Sequence, residues 1–405
     1  MKKQKHPRKP LGWLYGFAVF TLGNIIRMYF RMKIDRSEIK GMKGPLIAIA
    51  NHQSNTDFIK TALAMWPLKL NFLVSSYYLN SGLLRYLFKK VGAISKKQFV
   101  PDTPAVLAAY RAILNKQSII IFPEGQVEYY GAEVAIDESI AKLIKRFRVP
   151  VVNIQLRGGF LSNGKWSKRA YPARVEIGCS VLLNTEQIAA MSEDEILTVV
   201  KEGLTYNEYD WQREKMIPSS KKRLTKGLEN ILTRCPSCNH EFAMTSDKDT
   251  LSCSYCGYTV RLNRYGFFEA VGSYDLIYDN TVDWFRMQQR EIQKEMLVDT
   301  PPYISECTLR STKHNRLGYF YRGRGVLTLD TDGLSYDGTR DGEPYSELFS
   351  IKTQIAVTHS AIVWGIDFIG EDCNYAFCPD DPRKMIRIVE MYSILRKSME
   401  RDELE

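Results

Sequence analysis

A histidine and an aspartate lie five residues apart, directly after an apolar run that has the character of a strand. The segment covers residues 51–57 and reads NHQSNTD. The chain can fold back at a strand-to-helix turn, so we expect the Asp57 carboxylate to accept a hydrogen bond from one ring nitrogen of His52 and to fix its tautomer. The other nitrogen can then act as a general base. The alternative is a histidine whose hydrogen bonds are only structural.

A glutamate in a tight turn follows a second apolar run, residues 118–122. The turn is Pro123-Glu124-Gly125, and glycine lets a ligand approach the backbone closely. Binding sites of α/β sheets gather at the carboxyl ends of parallel strands, where this turn would lie. The alternative is a plain turn, which would not explain why a candidate base, a glutamate turn and a third strand occur in this order.

Four of the eight cysteines form two C-x-x-C pairs. Each pair presents two thiolates from one knuckle, and two knuckles complete a tetrahedral metal site. We therefore predict a structural zinc ribbon, with a decayed ribbon or a redox pair as the alternatives. The predicted ligands are Cys235, Cys238, Cys253 and Cys256. The remaining cysteines are expected to be small buried apolar residues, namely Cys179, Cys307, Cys373 and Cys378.

Short apolar runs alternate with helical patterns in the first half of the chain. The predicted strands cover 45–50, 70–74, 118–122, 151–156 and 175–183, and the predicted helices between them cover 57–66 and 104–115. Strands separated by helices predict an α/β domain with a largely parallel sheet. A capping box of Ser192 and Glu195 predicts a further helix.

The composition changes after residue 215. A basic connector at 218–227 precedes the cysteine pairs, and 280–297 has the pattern of a charged helix. From residue 303 onward the pattern is β-rich, with a turn signal at Asp332-Gly333 and a last helix after Asp381. Strands closed by one helix suit a small barrel of the pleckstrin-homology type, a fold likeness that assigns no ligand.

The length and charge limit the kind of protein. A chain of 405 residues predicts two or three domains. Its 44% hydrophobic and 25% charged residues exclude a disordered chain and a polytopic membrane protein. The net charge of +10 favours an anionic partner, either nucleic acid or a phospholipid surface. The cysteine pattern indicates a reducing compartment.

The apolar run from residue 11 to 26 carries no formal charge, and basic residues flank it on both sides. It is shorter than the ~20 residues that span a bilayer, and no small-residue cleavage site follows it, as a signal peptide would require. We therefore predict a helix that lies in or dips into the cytoplasmic leaflet. The alternative is a buried core helix.

Three of these segments resemble sequence blocks of the 1-acylglycerol-3-phosphate acyltransferase family. They are the pair His52 and Asp57, the turn Phe122-Pro123-Glu124-Gly125, and residues 149–154. A fourth block, a glycine-x-isoleucine before basic residues, is matched loosely by residues 92–97. The resemblance covers roughly residues 10–215. When the cysteine pairs are included, the chain resembles the bacterial form of this family that carries an added C-terminal zinc ribbon.

The resemblance implies acyl transfer without a covalent intermediate. His52 would deprotonate a hydroxyl of a lysophospholipid, typically 1-acylglycerol-3-phosphate, and Asp57 would orient it. The alkoxide would attack an acyl thioester on acyl carrier protein or coenzyme A, and no catalytic metal is expected. The implied substrate-binding residues are Lys96, Lys97, Pro123, Glu124 and Gly125.

The sequence departs from the family pattern after the glutamate turn. Gln126 and Val127 stand where the family commonly has a small hydroxyl residue and an arginine, so one expected phosphate-binding charge is missing. The lysines of the fourth block also lack the bidentate geometry of arginine. Arg157, at the end of a predicted strand, is a candidate substrate-binding residue that could compensate.

Together these observations predict a membrane-associated acyltransferase of phospholipid synthesis, with an α/β catalytic domain, a zinc ribbon and a small β-rich, pleckstrin-homology-like domain. The predicted segments are an N-terminal membrane-associated helix (1–44), the acyltransferase domain (45–215), the ribbon (228–270), a helical connector (271–302) and the β-rich domain with its C-terminal helix (303–405). The anionic membrane surface is the expected partner, at the cytoplasmic face, with monotopic or peripheral attachment.

Two other functions compete with this one. A zinc ribbon on a basic chain is also typical of nucleic-acid-binding proteins, but the 14 residues between the knuckles carry three acidic residues and one lysine. Since they contain no basic stripe interleaved with aromatic residues, we expect no nucleic acid partner. A lipid hydrolase would use the same base with water as the acceptor.

Overall fold

The computed structural model describes residues 9–167, 170, 172, 174–219, 225–298, 302–360, 363–370 and 373–402. Within these residues the strands form three sheets, of seven, four and seven strands. Part of the predicted basic connector at 218–227 lies outside the described residues.

The first sheet has the strand order β1-β7-β6-β2-β5-β3-β4. Its strands are β1 (Lys33–Asp35), β2 (Ile47–Ala50), β3 (Leu70–Ser75), β4 (Ile94–Lys96), β5 (Ser118–Ile121), β6 (Val151–Arg157) and β7 (Glu176–Leu183). Neighbouring strands run parallel except β6 and β7, which are antiparallel. The predicted α/β domain with a largely parallel sheet is therefore confirmed.

Helices cover both faces of this sheet. They are α1 (Gly12–Ala18), which continues through a π-helical turn (Val19–Gly23) into α2 (Asn24–Tyr29), then α3 (Asp57–Met65), α4 (Gly82–Lys90), α5 (Thr103–Leu114), α6 (Ser139–Phe147), α7 (Gly159–Asn163), α8 (Thr185–Ala190), α9 (Glu193–Leu204) and α10 (Glu208–Lys215). One apolar cluster joins the sheet to the N-terminal helix and α3, and a second joins it to α5, α6 and α9. Because both faces are covered, β2 and β5 are buried along their whole length.

The cysteine-containing region is a four-stranded antiparallel sheet followed by one long helix. Its elements are β8 (Met244–Asp247), β9 (Thr250–Cys253), β10 (Thr259–Leu262), β11 (Phe268–Ala270) and α11 (Thr281–Val298). Its apolar core includes Tyr129 and Tyr130 of the first domain and Trp284 and Phe285 of α11. This region therefore packs directly on the chain that follows the glutamate turn.

The C-terminal region is a seven-stranded antiparallel sheet followed by a helix. Its elements are β12 (Tyr303–Lys313), β13 (Arg316–Asp330), β14 (Gly333–Arg340), β15 (Glu343–Ser350), β16 (Thr358–His359), β17 (Ile366–Ile369), β18 (Asn374–Pro379) and α12 (Lys384–Asp402). The predicted hairpin joins β13 and β14, with Asp330 opposite Gly333. A β-rich region closed by a helix is confirmed, whereas the pleckstrin-homology likeness stays a prediction.

The N-terminal helix packs on the first domain by one face only. Tyr15 stacks on Trp66 with a ring-centroid distance of 6.4 Å, and Val19 is buried beside it. The opposite face is apolar and exposed, and includes Trp13, Phe17, Phe20, Ile25 and Met28. Among the described residues, no helix combines the length and the apolar character that crossing a membrane requires.

Candidate active site

His52 and Asp57 meet at the carboxyl edge of the first sheet. His52 follows β2 by two residues, and Asp57 is the first residue of α3. The loop between them folds back, so that Asp57 Oδ2 lies 3.0 Å from His52 Nδ1. With a proton on Nδ1 donated to the carboxylate, Nε2 is the ring nitrogen that can accept a proton. The ring stacks on Phe122, with a centroid distance of 4.5 Å.

Asp57 is held as a carboxylate by several donors. Its Oδ2 accepts from the backbone N–H groups of Gln53 and Ser54, both at 2.7 Å, and its Oδ1 accepts from Lys60 Nζ at 2.9 Å. Asp57 and Lys60 are both fully buried. Burial alone would raise the pKa of Asp57, but the Lys60 ammonium and the His52 hydrogen bond outweigh burial and hold it well below its usual value. Asp57 therefore carries its charge throughout the neutral pH range.

The glutamate turn fixes the backbone of the histidine. Glu124 Oε1 accepts from the backbone N–H of His52 at 3.1 Å, and the backbone N–H of Glu128 donates to the His52 carbonyl at 2.8 Å. Gly125 adopts a φ of +66°, a conformation that favours glycine. Burial raises the pKa of Glu124 well above its usual value, although the His52 N–H opposes the shift. The buried Glu124 side chain thus fixes the position of the loop that carries His52.

A second network of buried hydrogen bonds fixes the loop that carries His52. Gln53 Oε1 accepts from the backbone N–H of Gly159 at 3.0 Å, and Gln53 Nε2 donates to Glu208 Oε2 at 3.1 Å. The same carboxylate accepts from the backbone N–H groups of Gly158 and Leu161. This network joins the ends of β2 and β6 to the start of α10, so it restricts the position of His52 relative to the sheet.

His52 and the glutamate turn open into a cavity of about 2350 Å³. Pockets for small ligands usually measure ~300–1,000 Å³, so the space suits a much larger ligand. Phe17, Leu22 and Leu87 line the cavity and are also exposed on the surface. Its mouth therefore adjoins the apolar face of the N-terminal helix. The C-terminal region contributes another part of the lining, with Thr358, His359 and Asp367.

The structure separates the predicted basic substrate-binding residues. Lys96 lies in β4 and lines the cavity, with Asp137 4.0 Å from its ammonium group. Pro123, Glu124 and Gly125 line the cavity as well. Lys97 and Arg157 are not among the residues that line the cavity in the described part of the chain. The Arg157 guanidinium instead lies close to Gly178 of β7. This placement does not support the compensating role that we predicted for Arg157.

Two lysines near the site were missed in the sequence. Lys60 follows Asp57 by three residues, a helical spacing that could have identified the buried ion pair. Lys165 lines the cavity, and its ammonium lies 3.5 Å from the Val127 carbonyl oxygen. No spacing in the sequence connects Lys165 with the glutamate turn, because 38 positions separate it from Val127.

The two C-x-x-C pairs come together in a candidate metal centre. The Sγ–Sγ distances are 3.7 Å between Cys235 and Cys256 and 3.8 Å between Cys238 and Cys253, and all four sulfurs lie within 4.8 Å of one another. Tetrahedral coordination with Zn–S bonds of ~2.3 Å would place the sulfurs about 3.8 Å apart. The eight cysteines all lie within the described residues, and no disulfide joins any of them. The cluster can therefore hold a metal ion of tetrahedral preference.

Part of the chain is similar to known proteins. Residues 26–157 match the family model described as Acyltransferase. Among solved structures, the chain is similar to the 1-acyl-sn-glycerophosphate (LPA) acyltransferase PlsC from Thermotoga maritima, with a TM-score of 0.40 and 16% identity over 50% of this chain and 88% of that chain. No curated protein sequence matches the chain.

The matched range contains the residues that carried the resemblance in the sequence. His52 and Asp57 lie within it, as does the glutamate turn at 122–125. The predicted resemblance is thus confirmed for this part of the chain, which contains an acyltransferase domain over residues 26–157.

Proposed function

We propose that this domain moves a fatty acyl group from an acyl thioester, carried by acyl carrier protein or coenzyme A, to the hydroxyl of a lysophospholipid. The first acceptor to consider is 1-acylglycerol-3-phosphate. One observation carries the proposal: the His52–Asp57 pair, with its 3.0 Å contact, opens into a cavity of about 2350 Å³. A positioned base beside a space for long apolar chains is what acyl transfer to a lipid hydroxyl requires.

His52 Nε2 takes the proton of the acceptor hydroxyl while the hydroxyl oxygen attacks the thioester carbonyl carbon. The tetrahedral intermediate collapses with cleavage of the C–S bond, and the imidazolium returns the proton to the departing thiolate. Asp57 stabilises the imidazolium and keeps the ring in the required orientation. Because a thioester is a reactive donor, base catalysis and positioning can supply the acceleration without a protein nucleophile.

The apolar surface at the mouth of the cavity supports attachment to the cytoplasmic face of the membrane. Trp13 and Phe20 are 71% and 73% exposed on the N-terminal helix. Helix α4 adds the exposed Leu83 and Tyr86, and the Leu11 N–H donates to the carbonyl of Lys90 at its end. An amphipathic surface flanked by basic residues binds anionic bilayers without spanning them. A lysophospholipid would then enter the cavity from the bilayer.

The cysteine cluster is proposed to hold a structural Zn²⁺. Four thiolates complete its coordination sphere, so no position remains for a substrate. The ribbon packs against Tyr129 and Tyr130, which follow the glutamate turn, and supports that segment.

The function is tested by incubating the full chain with a radiolabelled acyl thioester and a panel of lysophospholipids, then separating the products. We expect label in a diacyl phospholipid, with the donor tested as both acyl carrier protein and coenzyme A thioesters. Release of labelled free fatty acid without any diacyl product would instead indicate the hydrolase.

The membrane proposal is tested with the double variant Trp13→Ser/Phe20→Ser. Loss of two exposed aromatic side chains should weaken binding to vesicles of anionic phospholipid roughly 10–100-fold, measured by co-sedimentation. The double variant Leu297→Ser/Val298→Ser removes two side chains that are 81% and 89% exposed elsewhere and should bind as the wild type does. Equal losses in both double variants would contradict a dedicated membrane surface.

A further inference from the structure

A second group of polar side chains faces the cavity from the side of the C-terminal region. Lys165 comes from the loop after α7, His359 from β16 and Asp367 from β17. The two strands are neighbours, and their register pairs Thr358 with Asp367 and His359 with Ile366, so the side chains of His359 and Asp367 lie on opposite faces of the strand pair. The three side chains line the same cavity as His52, although Lys165 is far from the other two in the sequence.

This group lies beside the chain that follows the glutamate turn. The Thr358 hydroxyl donates to the side-chain oxygen of Gln126, the residue after Gly125. Lys165 Nζ lies 3.5 Å from the Val127 carbonyl oxygen and 5.7 Å from the centre of the Tyr129 ring. A ligand held by His52 and the glutamate turn can therefore extend to the second group.

Several polar atoms of this group have no hydrogen-bond partner among the described residues. His359 is 3% exposed, and neither of its ring nitrogens is paired. Oδ1 of Asp367 is likewise shielded from water and unpaired. A buried imidazole carries at least one N–H, and leaving such a donor unpaired is costly. Unpaired buried polar atoms on the wall of a cavity indicate a ligand that pairs with them.

The side chains of this group have pKa values shifted toward the neutral pH range or, for His359, below it. Burial lowers the pKa of Lys165 to about 7 and raises that of Asp367 to about 7. Burial, helped by the charge of Lys165, lowers the pKa of His359 well below its usual value. An arriving anion would favour the protonated forms of Lys165 and His359.

We propose that Lys165 and His359 form a subsite for the phosphate ester of a substrate. The phosphate oxygens accept hydrogen bonds from Lys165 and His359. The inference rests on the proposed function, and the phosphate belongs either to the acceptor lipid or to the donor's carrier group. In both cases the C-terminal region is a part of the substrate site.

The variants Lys165→Met and His359→Asn test the subsite in steady-state kinetics of the full chain. We expect KM for the phosphate-bearing substrate to rise roughly 10–100-fold, as for a lost hydrogen bond to a charged group, with kcat changed less than about threefold. Lys165→Arg should restore part of the affinity. The matched controls are Lys142→Met and His314→Asn, at exposed positions outside the cavity, and they should leave both constants unchanged.

The source of the phosphate is separated by varying one substrate at a time. A raised KM for 1-acylglycerol-3-phosphate, with an unchanged KM for the thioester and an unchanged rate with uncharged monoacylglycerol, assigns the subsite to the acceptor. A raised KM for the thioester alone assigns it to the donor, which also supports the subsite. Unchanged KM values for both substrates would overturn it.

A binding measurement keeps the subsite testable even if the chain transfers no acyl group. Glycerol 3-phosphate is titrated calorimetrically into the His52→Ala chain, with and without Lys165→Met, after equal thermal midpoints have shown that both are folded. A loss of affinity of about tenfold or more supports the subsite. Equal affinity, or no binding to either chain, overturns it. Failure of the proposed function would appear separately, as no turnover by the wild type.

Discussion

Replacing His52 by alanine should lower kcat for acyl transfer by roughly 10²–10⁴-fold, because the variant has no group that can take the proton of the acceptor hydroxyl. The side chain is 21% exposed, and the ring stacks on Phe122 without forming part of an apolar cluster. We therefore expect the thermal midpoint to change by only a few degrees. Initial rates with labelled thioester and excess lysophospholipid measure the effect.

Replacing Asp57 by asparagine should lower the stability of the protein as well as its activity, which distinguishes this variant from His52→Ala. The amide can no longer stabilise the imidazolium, so activity falls as well. The variant also leaves the Lys60 ammonium buried without a counter-charge, which typically costs about 3–5 kcal/mol of stability. Asp57→Asn should thus lose both activity and stability, whereas His52→Ala loses activity alone.

The control for both is His314→Ala, which removes an exposed histidine from the turn between β12 and β13. It should keep full activity and stability. Full activity in His52→Ala would exclude this histidine as the base. Activity loss in Asp57→Asn without any fall in the free energy of unfolding would mean that the Asp57–Lys60 pair does not contribute as the structure indicates.

The parts of the site that could be predicted depend on local sequence. His52 and Asp57 are separated by a single strand-to-helix turn, so their spacing was sufficient to expect the contact. Strands β2 and β5 were recognisable because burial on both faces requires unbroken apolar runs. Strands β1 and β4 have three residues each, too few to produce a period, and neither was predicted.

The remaining parts of the site depend on contacts between distant segments. Gln126 and Thr358 are separated by 232 positions, so nothing local indicates that the C-terminal region forms a wall of the cavity. Lys60 illustrates a different difficulty, since a lysine in a helix is normally solvent-exposed. It is buried here because Asp57, one turn earlier, supplies the compensating charge. Lys165 was difficult to predict for both reasons, because it is a lysine and because its contacts are with a distant segment.

Removing the metal from the cysteine cluster should destabilise more than the ribbon itself. The wild-type chain, purified without chelator, should contain one zinc per chain, and Cys235→Ser should contain none, as measured by elemental analysis. Binding to structural zinc sites contributes many kcal/mol to folding, so we expect the first thermal transition to fall by about 10 °C or more. Treatment of the wild type with a strong chelator should reproduce the shift.

The loss of metal should also lower acyl transfer, although the cluster contributes no group to the reaction. Met244 and Leu251 of the ribbon share one apolar core with Tyr129 and Tyr130, so an unfolded ribbon leaves the segment after the glutamate turn without its packing. Cys373→Ser is the matched control, since Cys373 is a partly buried free thiol outside the cluster and should keep the zinc, the transition and the activity. A Cys235→Ser chain that retained one zinc and the wild-type transition would refute a four-cysteine centre. A metal-free chain with full activity would refute its support of the active-site loop.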